Sequence, residues 1–313
     1  TVTQQFNVTP SVQQTLKEKL QESSTFLSRI NIHIVRDQSA EAIGMGISRP
    51  IASRTNTNNS DRQTKDPTGM DNRFYFCRKT DFDTAIKYQK LDQWAKFTNF
   101  YAMFRGLIIK RQALDRIMIG FNGTSIAADT DIVANPKLQD VNKGWLQKMR
   151  EENPSRVMKS GATQNKITVG KTGDYKNLDA LVMNIVDEMI DEVHQENPDL
   201  VVMCNRKTVS DKYFPLVNKD QENTEKLAAD IIISQKRMGN LPVYSIPYFP
   251  EGIILVTTFD NLSIYMQEGA MRRTVIDNPK RDQIENYESS NEDYYVEDLG
   301  LACMAENIEI QAE

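Results

Sequence analysis

Hydrophobic positions along the chain switch between period-2 and helical spacing, and the switches predict the elements. Thr9 and Pro10 read as a cap and a first helical position, followed by Val12, Leu16 and Leu20 four apart. One narrow stripe cannot form a core alone, so residues 1–31 are expected to be an arm lying on the same chain or on another copy. Ile43, Met45 and Ile47 then alternate with Gly44, Gly46 and Ser48, which is strand periodicity. Residues 49–72 turn polar and offer almost nothing to bury. Alternation resumes with Phe74, Phe76, Phe82 and Ile86 on one parity and Lys79, Asp81, Asp83 and Lys87 on the other. A strand over residues 73–87 would run about 50 Å at ~3.3 Å per residue. The pair reads as a long hairpin with a polar tip, longer than compact domains usually carry. Two readings stand on the pattern alone: a plain surface loop, or an arm that reaches over a neighbour.

Helical spacing takes over after Asp92. Trp94, Phe97, Tyr101, Phe104 and Ile108 recur at that spacing, joined by Leu107, Leu114, Met118 and Phe121. The spacing predicts one helix over residues 93–119, about 40 Å at ~1.5 Å per residue, stopped by Gly120 and Asn122-Gly123. Its aromatic stripe is expected to be core. A short helix around residues 143–152 carries Trp145 and ends before Pro154. Residues 160–177 read as loop with a short strand at 167–169, the best boundary in the chain. Leu178, Leu181, Val182, Ile185, Val186, Met189, Ile190 and Val193 form one helix face stopped at Asn197-Pro198. A buried strand follows at residues 200–204, then helices near 210–217 and 223–231. Strands are predicted at 243–245, 253–258, 262–267, 274–276, 281–287, 294–297 and 305–310. Helices and strands mixed in this way point to an α+β fold.

Composition narrows the picture modestly. With 313 residues and 39% hydrophobic content the chain can bury a real core. No stretch has the ~18 consecutive apolar residues of a membrane span, and no basic-then-apolar start suggests a secretory signal. Cys77, Cys204 and Cys303 are few, distant and odd in number, which argues against a disulfide framework or a cysteine-rich zinc site. His33 and His194 stand alone and make no metal cluster. Charge is uneven: residues 276–313 hold 11 acidic and 2 basic residues, so the rest of the chain is net basic. A solvated acidic face and complementary charge between copies both fit that split.

Candidate chemistry falls short at each motif. Gly170-Lys171-Thr172 lacks the Gly a phosphate loop needs at position 165, which is Asn, and a strand-forming run precedes it. Gly44-Met45-Gly46 has Arg49 where a dinucleotide fingerprint needs its third Gly. Asp81/Asp83 and Asp129/Asp131 are i, i+2 carboxylate pairs, more often solvated than catalytic. No nucleophile, base and orienting group come together, so no enzyme activity, metal or cofactor is expected. Basic residues cluster only as pairs such as Lys110-Arg111, a weak nucleic-acid signature.

The order of parts, arm, hairpin, spine helix, α/β domain and returning strands, resembles the HK97 fold of tailed-phage capsid proteins. More specifically, the chain resembles the major capsid proteins of Peduovirus-type (P2-like) myophages. The likeness runs through QESSTFLSRIN (residues 21–31), IIKRQALDRIMIGFNG (108–123) and NPKLQDVNKGWLQKMR (135–150). It continues in DLVVMCNRKTVSDKYFPLVN (199–218), TEKLAADIIISQKRMGNLP (224–242), PYFP (247–250) and DNPKRDQIENYESSNEDYYVEDLG (277–300). The blocks span nearly the whole chain; the hairpin tip and residues 161–176 fit least well.

The resemblance implies an α+β HK97-like fold in five parts: an N-terminal arm (1–41), an extended hairpin with its flanking strands (42–88), a peripheral domain with the spine helix (89–177), an axial domain (178–271) and return strands (272–313). It implies copies set in pentamers and hexamers of an icosahedral shell around double-stranded DNA. Further implied partners are an internal scaffold with its protease, and a portal protein. Assembly is implied in the host cytoplasm, with no membrane partner. Family members carry a leading segment that the protease removes, and a start at Thr1 fits that processing. The covalent cross-linking of some HK97-fold relatives is not carried over, although Lys65 sits in the right kind of loop. The charge split suggests that Arg49, Arg54, Arg62, Lys65 and Arg73 meet Asp282, Glu285, Glu288, Glu292 and Asp293 of neighbouring copies. Exposed pairs are worth ~0–1 kcal/mol each, but repeated around a shell they select register. An encapsulin-like compartment, or a nucleotide enzyme centred on Lys171, are the alternatives.

Overall fold

The computed structural model describes residues 3–7, 10–47, 52, 54, 68–94, 100–217 and 236–311. The helix expected near residues 223–231 lies outside them.

One long strand, Gln283–Val296, organises the fold. One of its edges carries Arg272–Asn278 and then Leu262–Gln267, both antiparallel. The other edge carries Thr84–Lys87 and then Arg78–Asp81. Thr3–Asn7 pairs with Arg272–Asn278, and Asn31–Val35 lies parallel to Leu262–Gln267, completing a seven-stranded sheet. Two short strands were expected where this one 14-residue strand runs. The polar run Glu288–Asp293 looked like a loop, yet it stays extended because several of its side chains find buried partners.

A second sheet has six strands in the order Arg237–Met238, Leu241–Ser245, Val201–Cys204, Ile254–Thr257, Cys303–Ala305 and Val157–Met158. Strand alternation gives it two apolar faces. Val201, Met203, Leu255 and Met304 join one core, while Val202, Cys204, Ile254, Val256, Cys303 and Ala305 join another. The second core is roofed by the helix Leu178–Met189 through Leu181, Val182 and Ile185. Asn177 caps that helix, its side chain accepting from the Ala180 N–H at 2.8 Å. The helix ends earlier than expected: Ile190 is already extended, and Val193 is 86% exposed.

The first core is spanned by the spine helix, Phe100–Asn122, whose Ile109, Ala113, Ile117 and Phe121 lie four apart on one buried row. Helix is already present at Tyr88–Trp94, ahead of the predicted start at residue 93, and residues 95–99 between it and the spine helix lie outside the described residues. The expected core role of Trp94, Phe97 and Tyr101 falls outside the described side chains, and the described burial begins at Ile109. Helix Trp145–Glu152 crosses the spine at Gly120. A Cβ there would meet the Trp145 ring at 2.2 Å, so only Gly allows this approach. Trp145 is fully buried, packs its ring at a tilt against Phe121 and donates its indole N–H to the Ser263 carbonyl at 3.0 Å.

Candidate assembly surfaces

Strands Ser39–Ile47 and Thr68–Phe76 pair antiparallel over nine residues, from Ser39 opposite Phe76 to Ile47 opposite Thr68. Among the described strands they form a sheet of their own. The expected continuous strand over residues 73–87 is instead three strands. It breaks at Cys77, where the chain leaves one partner, Ser39–Ile47, for another, Gln283–Val296, and again at Phe82-Asp83 along that second partner.

The root of this hairpin is bolted to the body. The Phe76 N–H donates to Asp293 Oδ2 at 2.9 Å, and the Cys77 N–H to the Gln38 carbonyl at 2.8 Å. Arg73 donates to the carbonyls of Val296 (2.8 Å) and Glu297 (2.5 Å) and to Glu152 (3.2 Å). Its guanidinium also lies over the Tyr295 ring, 4.6 Å from the centroid. Tyr75 and Cys77 face inward against Tyr265 and Tyr295. That leaves Phe74 and Phe76 pointing outward, 66% and 39% exposed, whereas Phe82, of the same parity in sequence, is buried beyond the break at Cys77.

Beneath the root lie two buried ion pairs. Arg116 projects from the spine helix onto Glu292, with Nε–Oε1 at 3.0 Å, Nε–Oε2 at 3.1 Å and Nη2–Oε1 at 2.6 Å. The side chains are 1% and 0% exposed. Ser290 also donates to Glu292, and Arg116 lies over the Phe82 ring. Burial works against the charged guanidinium, but the adjacent carboxylate outweighs it and raises the Arg116 pKa. Lys148 reaches both oxygens of Asp293 at 2.8 Å.

The charged residues singled out for contacts between copies therefore divide. Arg73, Glu285, Glu292 and Asp293 have their partners inside the chain. Glu285 accepts from Asn278, Gln283 and Tyr287, and these hydrogen bonds, Gln283 first, lower its pKa. Glu292 and Asp293 are almost fully buried, and a neighbour reaches neither without rearrangement. Arg54 and Asp282 are exposed, and Glu288 is half-buried. Arg49, Arg62 and Lys65 lie outside the described residues. Arg116 and Lys148 were missed. The available signal was Arg116 set among the apolar residues Ala113, Ile117 and Ile119 of the spine helix.

The decoy motifs have structural work. Gly170-Lys171-Thr172 forms a tight turn: the Gly170 N–H donates to the Tyr175 carbonyl and the Gly173 N–H to the Gly170 carbonyl. Those donors are turned into the chain, and the next helix opens only at Leu178. Asp81 pairs with Lys79, Asp83 accepts from the Glu288 N–H, and Gly44 and Gly46 sit in the hairpin ladder. Among the described residues no group of three or more His, Cys, Asp or Glu is placed to hold a metal ion. No described helix is long and apolar enough to cross a membrane.

A protein built from an anchored hairpin, a spine helix packed between sheets and a second sheet with its own core has the architecture of a phage shell subunit. The capsid of an empty GTA particle shares this fold at a TM-score of 0.55 with 15% identity, over 92% of this chain and 90% of that one. The fold is α+β and HK97-like. The family model for the phage major capsid protein, P2 family, matches residues 1–308, and the chain belongs to that family. It is 49% identical to the capsid protein of Escherichia phage P2, over 99% of this chain and 88% of that protein. It is 39% identical to the major capsid protein of Serratia phage KSP20, over 98% and 90% respectively. The solved procapsid of satellite phage P4, with its size determination protein, contains a chain 47% identical to this one. The TM-score is 0.88, over 98% of this chain and 94% of that one. The protein is thus a phage major capsid protein, a structural component of the virion.

Proposed function

We propose that copies of this chain close into pentamers and hexamers of an icosahedral head that encloses double-stranded DNA. The observation that carries this reading is the hairpin. Its nine-residue ladder forms a sheet apart from the others, while its root is fastened by Arg73, Phe76 and Cys77. In this reading the ladder beyond that root lies on a neighbouring copy. In this reading residues 1–41 are the arm, 42–88 the hairpin with its flanking strands, 89–177 with 272–313 the peripheral domain, and 178–271 the axial domain. The charged residues left to meet neighbours are Arg49, Arg54, Arg62, Lys65, Asp282 and Glu288. Assembly takes place in the host cytoplasm with an internal scaffold, its protease and a portal as partners, and the DNA is held without sequence preference.

The test is to replace residues 56–69 with a short turn. The chain should remain folded by circular dichroism and lose the ability to build shells. Shells of normal form from that variant would refute the hairpin's role. DNA inside native particles separates a phage head from a cargo compartment, and Lys171→Ala, with nucleotide binding measured before and after, disposes of the enzyme alternative.

A further inference from the structure

Between the spine helix and the helix Trp145–Glu152 runs a loop, residues 124–143, without regular secondary structure. It is nevertheless well fastened. The Thr124 and Ser125 N–H groups donate to the Gln139 carbonyl at 2.7 and 3.0 Å, and the Ala127 N–H to the Asp140 carbonyl at 2.8 Å. The buried Asp140 side chain accepts from the Asp131 N–H at 2.7 Å. Asp131 in turn accepts from the Val133 and Ala134 N–H groups at 2.8 and 3.2 Å. This ordered loop presents Ile126, Ile132 and Val133 to solvent, 42%, 68% and 88% exposed, and Asp129, between them in sequence, is exposed too. Ordering a loop costs backbone entropy, and aliphatic side chains left in water return none of it. Exposed aliphatic side chains on a rigid frame mark a contact.

The outer face of the hairpin root is a second uncovered patch, cationic at one end. Phe74 and Phe76 are 66% and 39% exposed, and the Arg78 guanidinium lies over the Phe76 ring at 3.8 Å. Glu41 stands opposite Phe74 in the ladder, so an incoming carboxylate is repelled from that end and drawn to the Arg78 end. Both patches are exposed in the same folded chain, so neither covers the other.

We propose that the loop 124–143 of one copy seats Ile132 and Val133 on the Phe74–Phe76–Arg78 face of a second copy, with Asp129 meeting Arg78. The inference rests on the shell reading and deepens it. Two different surfaces that fit one another make a head-to-tail contact, and such contacts close into rings when the rotation allows. A patch that paired with itself would instead give two-fold dimers.

The test introduces Cys at Phe74 or Phe76 together with Cys at Ile132 or Val133, in all four combinations, and joins them with a short bis-maleimide in assembled particles. The native thiols give a silent background: all three are buried, and burial pushes Cys77 and Cys204 up to about 12 and Cys303 higher still. At least one combination should give a ladder of linked chains ending at the ring size, and each single-Cys protein should stay monomeric on the gel. Normal particles with no ladder in any combination would overturn the contact, as would dimers from Val133→Cys alone. An unmodified chain that forms no particles at all strikes the shell reading instead, and the contact falls with it. As a check without cross-linking, Asp129→Lys should raise the concentration needed for assembly several-fold, and adding Arg78→Glu should restore it. No restoration in the double variant counts against the pairing.

Discussion

The Arg116–Glu292 pair offers the sharpest test of how the subunit is held together. Glu292→Gln keeps the shape of the side chain and removes its charge, leaving a guanidinium that is 1% exposed with no counterion. Three contacts between 2.6 and 3.1 Å weaken together. Removing one partner of such a buried pair costs about 3–5 kcal/mol, most of it the uncompensated charge. Glu151, which pairs with Lys143 at 2.8 Å, provides the control, because its side chain is 41% exposed and its partner's 37%. Glu151→Gln should cost ~0–1 kcal/mol. The double variant Arg116→Met, Glu292→Leu should recover most of the loss, since the desolvation penalty disappears along with the attraction. The assay is equilibrium urea denaturation of unassembled subunits, with the short-turn replacement of residues 56–69 as background so that assembly does not add to apparent stability. Equal midpoints for Glu292→Gln and Glu151→Gln would refute the reasoning, as would a double variant no better than Glu292→Gln.

Two further outcomes follow from the same geometry. Arg73→Lys keeps the charge but cannot fork onto the Val296 and Glu297 carbonyls, so it should cost about 1–3 kcal/mol and speed amide exchange at Phe76 and Cys77. Unchanged exchange there would remove Arg73 from the anchor. Asp174 is held below the usual carboxylate range by hydrogen bonds from the Thr168 and Ala162 N–H groups and the Thr168 hydroxyl. A depressed folded value means that this stabilisation is present above the unfolded carboxylate pKa of about 4 and is lost as pH falls through the folded value. Asp174→Asn should therefore destabilise at neutral pH, by an amount that shrinks on acidification. A difference that stays constant from neutral pH to about pH 3 would show that the carboxylate's charge plays no part.

How much of this was legible beforehand depends on what kind of contact each element makes. Helix Trp145–Glu152 was read closely because burial on one face leaves a plain periodic trace, and strand Leu262–Gln267 because it is a short, almost wholly buried run bounded by turns. The strand Gln283–Val296 was split in two because its buried middle is polar. Ser290, Glu292 and Asp293 face Arg116 and Lys148, about 145 to 176 residues away in sequence. Periodicity cannot distinguish a paired carboxylate in the interior from one in water. The same limit applies to charge. The acidic C-terminal segment suggested partners on other copies, yet Glu292 and Asp293 are satisfied by basic residues of the same fold. Local charge counts carry no information about which distant residue folds alongside. The hairpin itself was visible as alternation, polar run and renewed alternation, but which parity faced inward was not. Tyr75 and Cys77 take the buried side because Tyr265 and Tyr295 wait there, and that pairing exists only in three dimensions.

The central claim is that this chain's function lies in surfaces that join copies of itself into a closed shell. Cryo-electron microscopy of the chain expressed with an internal scaffold protein of a P2-family phage tests it most directly. The account predicts closed icosahedral particles whose hairpins, rooted at Arg73, Phe76 and Cys77, extend over adjacent copies. A field of monomers under those conditions, or shells in which the hairpin folds back on its own subunit, would contradict it.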